Sequence, residues 1–361
     1  MRMDFYSHYL QIIKENINRY SGKKLVIFPF GEQGMVFKNI LNSAYGIQES
    51  YIIDNGLYKY NKDILPFKAL ENMDGKNLLF FLVATDKELN CELYNKIKTE
   101  LPDSEIINVL EPLIIPVENK EKWFKEFKAL LKVKRLVSDR EYIRIGRMND
   151  GGYVMLDDFH AGMNAYSFGI CDDVSWDKEM ADRYEINIFM YDHTISKLPE
   201  YHKKFHYFKA GISGKDDFAN QVFSMETLLK NNGDAENKNL ILKMDVEGAE
   251  YDFLENTSSA IINNFKQMVF ELHNITKLEN RDKIKKALEK LNETHQAVWV
   301  HGNNCNYAEY ENDMIVPNTI EVLYLNKSYY SFEDGEVCFP WDIDQSNKYK
   351  LNDFSLGNWG K

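Results

Sequence analysis

The chain has 361 residues, enough for two domains, and a 44% apolar fraction with 22 Tyr and 22 Phe excludes global disorder. Lys and Arg number 44 against 56 Asp and Glu, a net charge of −12. A surface that negative repels polyanions, and no dense Lys/Arg block offsets it, so nucleic-acid polymers and membranes are excluded as expected partners.

The opening stretch "MRMDFYSHYLQIIKENI" shows no apolar signal region, and it places Phe5, Tyr9, Ile12, Ile13 and Ile17 at helical spacing. "KKLVIFPFGEQGMVFKNIL" then reads as strand, glycine turn and helix. "SYIIDN", "KNLLFFLVAT" (76–85) and "EIINVL" (105–110) add three strands. Strands alternating with helices predict a parallel sheet, so residues 1–117 are expected to form a small Rossmann-like α/β domain. The charged stretch 118–139 reads as a helical connector, and 140–361 as a second domain. The longest apolar run, "LLFFLVA" (78–84), is far too short to span a bilayer. Cys91, Cys171, Cys305 and Cys338 show no paired spacing, which fits a reducing compartment. A cytoplasmic protein is the expectation.

The second domain offers seven strands: "AYSFGI" (165–170), "INIFMYD" (186–192), "HYFKAGI" (206–212), "LILKMD" (240–245), "MVFELH" (268–273), "AVWVHG" (297–302) and "IEVLYLN" (320–326). Helical stretches separate most of them. The link 302–319 carries no helical pattern and is short for a crossover, so the seventh strand is expected to return antiparallel.

Ligands of open α/β sheets sit beyond the carboxyl ends of the strands. Those ends here carry Gly169, Asp172 and Asp173; then Asp192 and His193; then Gly211 and Ser213. The later strands end in Asp245 and Glu247, Glu271 and His273, and finally His301, Asn303 and Asn304. A pyrophosphate calls for three glycines at a helix N-terminus, whereas "FGICDDVSWD" offers one glycine and two aspartates. Carboxylates suit an ammonium, a sulfonium and a ribose diol, and Asp192 follows Gly169 by 23 residues (169 to 192), the spacing of an acid that meets ribose hydroxyls. That favours S-adenosylmethionine over NAD. One of Asp172 and Asp173 is expected to cap the helix that starts near Ser175.

"RIGRMNDGGYVMLDDF", "AYSFGICDDVSWDKEMADRY", "FMYDHT" and above all "LILKMDVEGAEYDFLE" resemble the FkbM-type S-adenosylmethionine-dependent methyltransferases. "VFELH", "VHGNN" and "PNTIEVLYLNKS" extend the resemblance over about 140–328. It implies a seven-stranded class I methyltransferase sheet and O-methylation of a sugar or other small metabolite, as in surface polysaccharide synthesis. It also implies that Gly169, Asp172, Asp173 and Asp192 line the cofactor, and Tyr153, Phe168, His193, Ser213 and Asp245 are expected beside them. Asp245 would lie where donor and acceptor meet, with Glu247 beside it, while Glu250 is read as stabilising a helix N-terminus.

An alcohol acceptor needs a base or a metal to lose its proton. Asp245, His273 and His301 end neighbouring strands, and they suit either a divalent-metal set or an acid–base pair oriented by a carboxylate. Asn303 and Asn304 suit sugar hydroxyls, or a turn. In the first domain Gly31 and Gly34 open a helix after a strand, and Asp54 follows Gly34 by 20 residues (34 to 54). These weakly resemble the nucleotide-holding subdomain of nucleotide-sugar acetyltransferases. Binding of a nucleotide sugar and homodimerisation are the two expected roles of this domain. Two other functions stand against methyl transfer: an NAD-linked sugar oxidoreductase, disfavoured by Pro29 in the first glycine position, and a non-enzymatic nucleotide-sugar binder.

Overall fold

The computed structural model describes residues 5–111, 120–311, 314–349 and 351–360. The chain divides into two compact units, Met1–Glu121 with Tyr307–Ile315 and Lys122–Asn306 with Val316–Lys361.

In the first unit the strands β1 (Lys24–Phe28), β2 (Tyr51–Ile52), β3 (Leu78–Leu82) and β4 (Glu105–Asn108) form one parallel sheet in the order 2-1-3-4. β3 is buried along its whole length, as a continuous run of Leu and Phe must be when helices cover both faces. Phe28, Phe67, Phe80 and Leu82 fill the core on one side. Helix Glu32–Tyr45 stops at Gly46, whose left-handed backbone returns its N–H to the Leu41 and Asn42 carbonyls.

The second unit is built on β5 (Asn164–Phe168), β6 (Asn187–Tyr191), β7 (Phe205–Phe208), β8 (Leu240–Met244), β9 (Phe265–Leu272), β10 (His295–Gly302) and β11 (Ile320–Asn326). Their order across the sheet is β7-β6-β5-β8-β9-β11-β10. β11 runs antiparallel to both β9 and β10, while β7, β6, β5, β8 and β9 pair in parallel. This is the expected seven-stranded sheet with a returning last strand. The order reverses between β5 and β8, so the crevice beyond their carboxyl ends is where a ligand is expected.

Three details depart from expectation. The predicted third strand splits: Phe205–Phe208 stays in the sheet, while Gly211–Ile212 pairs with Val222–Phe223. Most of the predicted connector 118–139 belongs to the second unit, where Trp123, Phe124 and Phe127 of helix Glu121–Leu130 are buried and the Trp123 indole donates to the Ile275 carbonyl at 2.8 Å. Residues 118 and 119 lie outside the described residues. Finally, the segment after 337, which carries no periodic pattern, folds back on this unit, burying Phe339, Phe354, Leu356 and Trp359. Among the described residues no helix is long and apolar enough to cross a membrane.

Candidate active site

β5 ends in Gly169, whose φ is +75° and whose missing side chain would land on the Asp245 carbonyl oxygen. Only glycine tolerates both conditions. The turn that follows is held from β6: one Asp192 oxygen accepts the Ile170 and Cys171 amides at 3.0 and 2.9 Å, and the other accepts the Thr194 amide and hydroxyl at 2.7 and 2.6 Å. Burial pushes the Asp192 carboxyl up, but these donors outweigh it and hold it below its usual range. Asp192 was expected to face a ribose diol; in this structure its carboxylate is engaged by four donors of its own chain.

Asp173 accepts the Ser175 amide and hydroxyl, both at 3.0 Å, at the start of helix Ser175–Tyr184, and it faces Arg147 at 3.3 Å. It is the capping member of the pair, and Asp172 beside it is exposed. Phe168 is buried, stacked 5.1 Å from Tyr191. His193 is exposed, with its ring against Gly211. Ser213 donates to Asp252 at 2.6 Å, which ties it to helix Glu250–Asn256.

Sequence reasoning missed Lys243. It is the fourth of the five residues of β8, donates to the Gly169 carbonyl at 3.2 Å and lies 5.5 Å over the Tyr153 ring. Asp177, fully buried in helix Ser175–Tyr184, lies within its electrostatic reach; burial raises its carboxyl and Lys243 draws it down. A lysine inside an otherwise apolar strand was the available signal.

The mouth of β8 and β9 answers why three carboxylates follow "LILKM". Asp245 faces Tyr153, whose hydroxyl is 3.4 Å from it, and burial raises the Asp245 carboxyl above its usual range. Glu247 takes a left-handed backbone at φ 55° and leaves its side chain in solvent, 3.6 Å from His273 Nε2. Glu250 is fully buried. Its Oε1 accepts both the His273 backbone amide at 2.8 Å and His273 Nδ1 at 3.0 Å, while Oε2 accepts the Gly248 amide at 2.8 Å. Glu250 therefore does more than stabilise a helix end: it orients the imidazole.

With Nδ1 on Glu250, His273 turns Nε2 toward Asp245 (3.7 Å), Glu247 (3.6 Å) and Glu271 (3.5 Å). Burial alone would lower its pKa, but Glu250 and Glu271 outweigh that and push it up to about 11. An imidazolium has no lone pair for a metal or for a substrate proton. The carboxylates around His273 thus favour its charged form, which donates hydrogen bonds rather than accepting a proton.

His301 does not join Asp245 and His273. On β10 it pairs with Glu321 of β11, which in turn pairs with Glu271 of β9, so it stands across β11 from Glu271. Its Nδ1 meets Glu321 at 3.1 Å and its Nε2 meets Asp353 at 2.7 Å. These carboxylates outweigh burial and push it up to about 10. The predicted Asp245–His273–His301 metal set is not assembled; the group that converges is Asp245, Glu247 and His273, with ligand atoms within 4.8 Å of one another.

Asn303 donates to Glu271 at 2.8 Å and accepts the Cys305 amide at 2.8 Å, at once a turn residue and a neighbour of the acidic edge. Asn304 binds Ser346, Asn352 and the Lys348 amide, and thereby holds the C-terminal segment. In the first unit a side chain at Gly34 would come within 2.7 Å of the Pro29 carbonyl, so close packing of helix on strand accounts for that glycine. Gly31 is the N-cap of helix Glu32–Tyr45 and has open space around it. Asp54 accepts the Phe30, Gly56 and Leu57 amides at 3.1, 2.8 and 2.8 Å, which locks the loops at the ends of β1 and β2.

A search of curated proteins finds no match. Among solved structures, a methyltransferase FkbM from Methylobacillus flagellatus KT is similar at 10% identity and a TM-score of 0.39, covering 89% of this chain and 98% of that one. A fibrillarin/Nop5p complex aligns at 12% identity and 0.29, over 45% and 72% of the two chains. Phosphoethanolamine N-methyltransferase 2 of Haemonchus contortus, solved with S-adenosyl-L-methionine, aligns at 9% and 0.22, over 80% and 81%. The family model described as "Methyltransferase FkbM domain" matches residues 156–307, which run from the strand of Tyr153 through β10. Over these residues the chain is similar to the FkbM methyltransferases.

Proposed function

We propose that this protein transfers a methyl group from S-adenosylmethionine to a hydroxyl of a sugar, free or nucleotide-linked, in the synthesis of a surface glycan. The supporting observation is the FkbM domain match laid over the strand ends where the Gly169 turn and the half-buried Asp245 carboxylate meet, at the point of strand-order reversal. The residues fit such a donor. The turn is fixed by Asp192 and Lys243, it leaves Asp172 exposed beside it, and it carries carboxylates in place of the glycine cradle a pyrophosphate needs.

When bound, the donor supplies an electrophilic methyl on a sulfonium. What the chain supplies is position and proton transfer. Holding the acceptor oxygen in line contributes most, and Asp245 is assigned as the group that takes its proton. Burial keeps Asp245 more basic than an ordinary carboxylate. His273, fixed by Glu250 and pushed toward its charged form, is assigned a positioning role: it aims Nε2 at the acidic edge and steadies the Asp245 carboxylate. Incubating the full chain with S-adenosylmethionine and a panel of sugars and nucleotide sugars, followed by mass spectrometry, tests the reading. A methylated sugar supports it, and donor consumption confined to another acceptor class refutes the sugar assignment.

A further inference from the structure

Beside the assigned edge lies a second group whose chemistry is all oxygen. Glu271 of β9 and Glu321 of β11 are both buried and stand directly opposite each other in the antiparallel register. Like charges so placed are destabilising unless something positive lies between them. Asp150, in the loop after strand Tyr142–Ile145, brings a third carboxylate, and one oxygen from each lies within 4.8 Å of the others.

Asn347 gives an independent indication. This residue of the C-terminal segment is only 3% exposed, and its Nδ2 donates to Glu321 at 2.5 Å and to Asp150 at 3.4 Å. The amide is thus planted on two of the three carboxylates. Its Oδ1, on the same carbon as that nitrogen, has no hydrogen-bond partner. A buried amide oxygen left without a donor is costly, which makes it a ready ligand for a cation held by its neighbours.

The nearby imidazoles engage one oxygen of each glutamate. His301 is bonded to Glu321 Oε2 and to Asp353, and His273 approaches Glu271 Oε1, the oxygen that Asn303 also occupies. The Arg144 guanidinium donates to the Arg147 and Asn149 carbonyls. We propose that Asp150, Glu271, Glu321 and the Asn347 Oδ1 form a site for one divalent cation of the hard, oxygen-seeking class, such as Mg²⁺ or Mn²⁺. Oxygen-only ligands with no thiolate select that class over zinc or copper. The ion would neutralise the Glu271–Glu321 pair and brace the C-terminal segment against the sheet.

Mn²⁺ titration of the full-length protein followed by electron paramagnetic resonance, with neither donor nor acceptor present, tests this separately from methyl transfer. The expected result is one Mn²⁺ per chain, displaced by Mg²⁺, with affinity reduced about tenfold or more in both Asp150→Asn and Glu321→Gln and retained in Glu247→Gln. Should Glu321→Gln fail to fold, Asp150→Asn, which changes a loop residue, decides the matter. No stoichiometric Mn²⁺ in the wild type overturns the proposal. So does loss of binding in Glu247→Gln with retention in Asp150→Asn, which would assign the ion to the Asp245–Glu247–His273 group instead.

Discussion

Glu250 holds His273 by both its main chain and its ring: a single buried oxygen accepts the backbone amide at 2.8 Å and Nδ1 at 3.0 Å. The contact joins the first turn of helix Glu250–Asn256 to the end of β9, so the sharp turn after β8 fixes the orientation of an imidazole on the next strand. Glu250→Gln keeps the shape and removes the charge. The His273 pKa should then fall from about 11 toward its ordinary value, and turnover should drop by about tenfold or more while the affinity for S-adenosylhomocysteine stays constant. Nuclear magnetic resonance titration of His273 beside steady-state kinetics checks both halves. Glu250→Ala should be harsher, since two buried donors on His273 lose their acceptor at roughly 1–3 kcal/mol each and the half-buried Gly248 amide loses its own.

Gly169→Ala forces a side chain into the Asp245 carbonyl at a left-handed φ, so the turn must move. S-adenosylhomocysteine binding measured by calorimetry should be lost or weakened about a hundredfold, at ~1.4 kcal/mol per tenfold. Unchanged affinity would remove this turn from the donor site.

Asp192→Ala leaves the Ile170, Cys171 and Thr194 amides without their acceptor and should loosen the same turn. The expected cost is about 1–3 kcal/mol of S-adenosylhomocysteine affinity, read by calorimetry. Asp192→Asn should recover only part of it, because an amide offers one acceptor oxygen where the carboxylate offered two.

His295 gives a pH prediction for stability. It is fully buried with Nε2 on the Phe265 carbonyl, and burial lowers its pKa to about 4. The folded value lies below the unfolded one, so the unfolded state binds the proton more readily as pH falls. Stability should therefore be unaffected by this group above about 6.5. It should decline as pH drops from there to about 4, by a few kcal/mol at ~1.4 kcal/mol per unit. Chemical denaturation across that range should show the decline, and His295→Gln should flatten it.

How much of this was legible beforehand follows from where each signal lives. The strands announce themselves through unbroken apolar runs such as "LILKM" and "IEVLYLN", and the missing helical pattern in 302–319 foretells the antiparallel return of β11. The polar residues at strand ends could be named, but their partners could not. Glu250 looked like an ordinary acid at a helix start because its contact with His273 crosses from one strand end to the next. His301 looked like a companion of His273, yet β11 inserts between β9 and β10 and delivers Glu321 to it. A glutamate inside the wholly buried β11 was a readable anomaly, as was Lys243 inside β8. Asn347 and Asp353 were not readable, because an irregular segment has no period from which its return onto the sheet can be inferred.

The central claim is that Asp245 takes the proton from a sugar hydroxyl as it is methylated, and product analysis of wild type and Asp245→Asn tests it most directly. With S-adenosylmethionine and the sugar panel, the wild type should yield a sugar heavier by one methyl group. Asp245→Asn should yield it at about 10²-fold lower rate or less, with S-adenosylhomocysteine affinity within about threefold of wild type. Equal rates in the two proteins would contradict the role of Asp245, and a wild type that oxidises the sugar without methylating it would contradict the reaction itself.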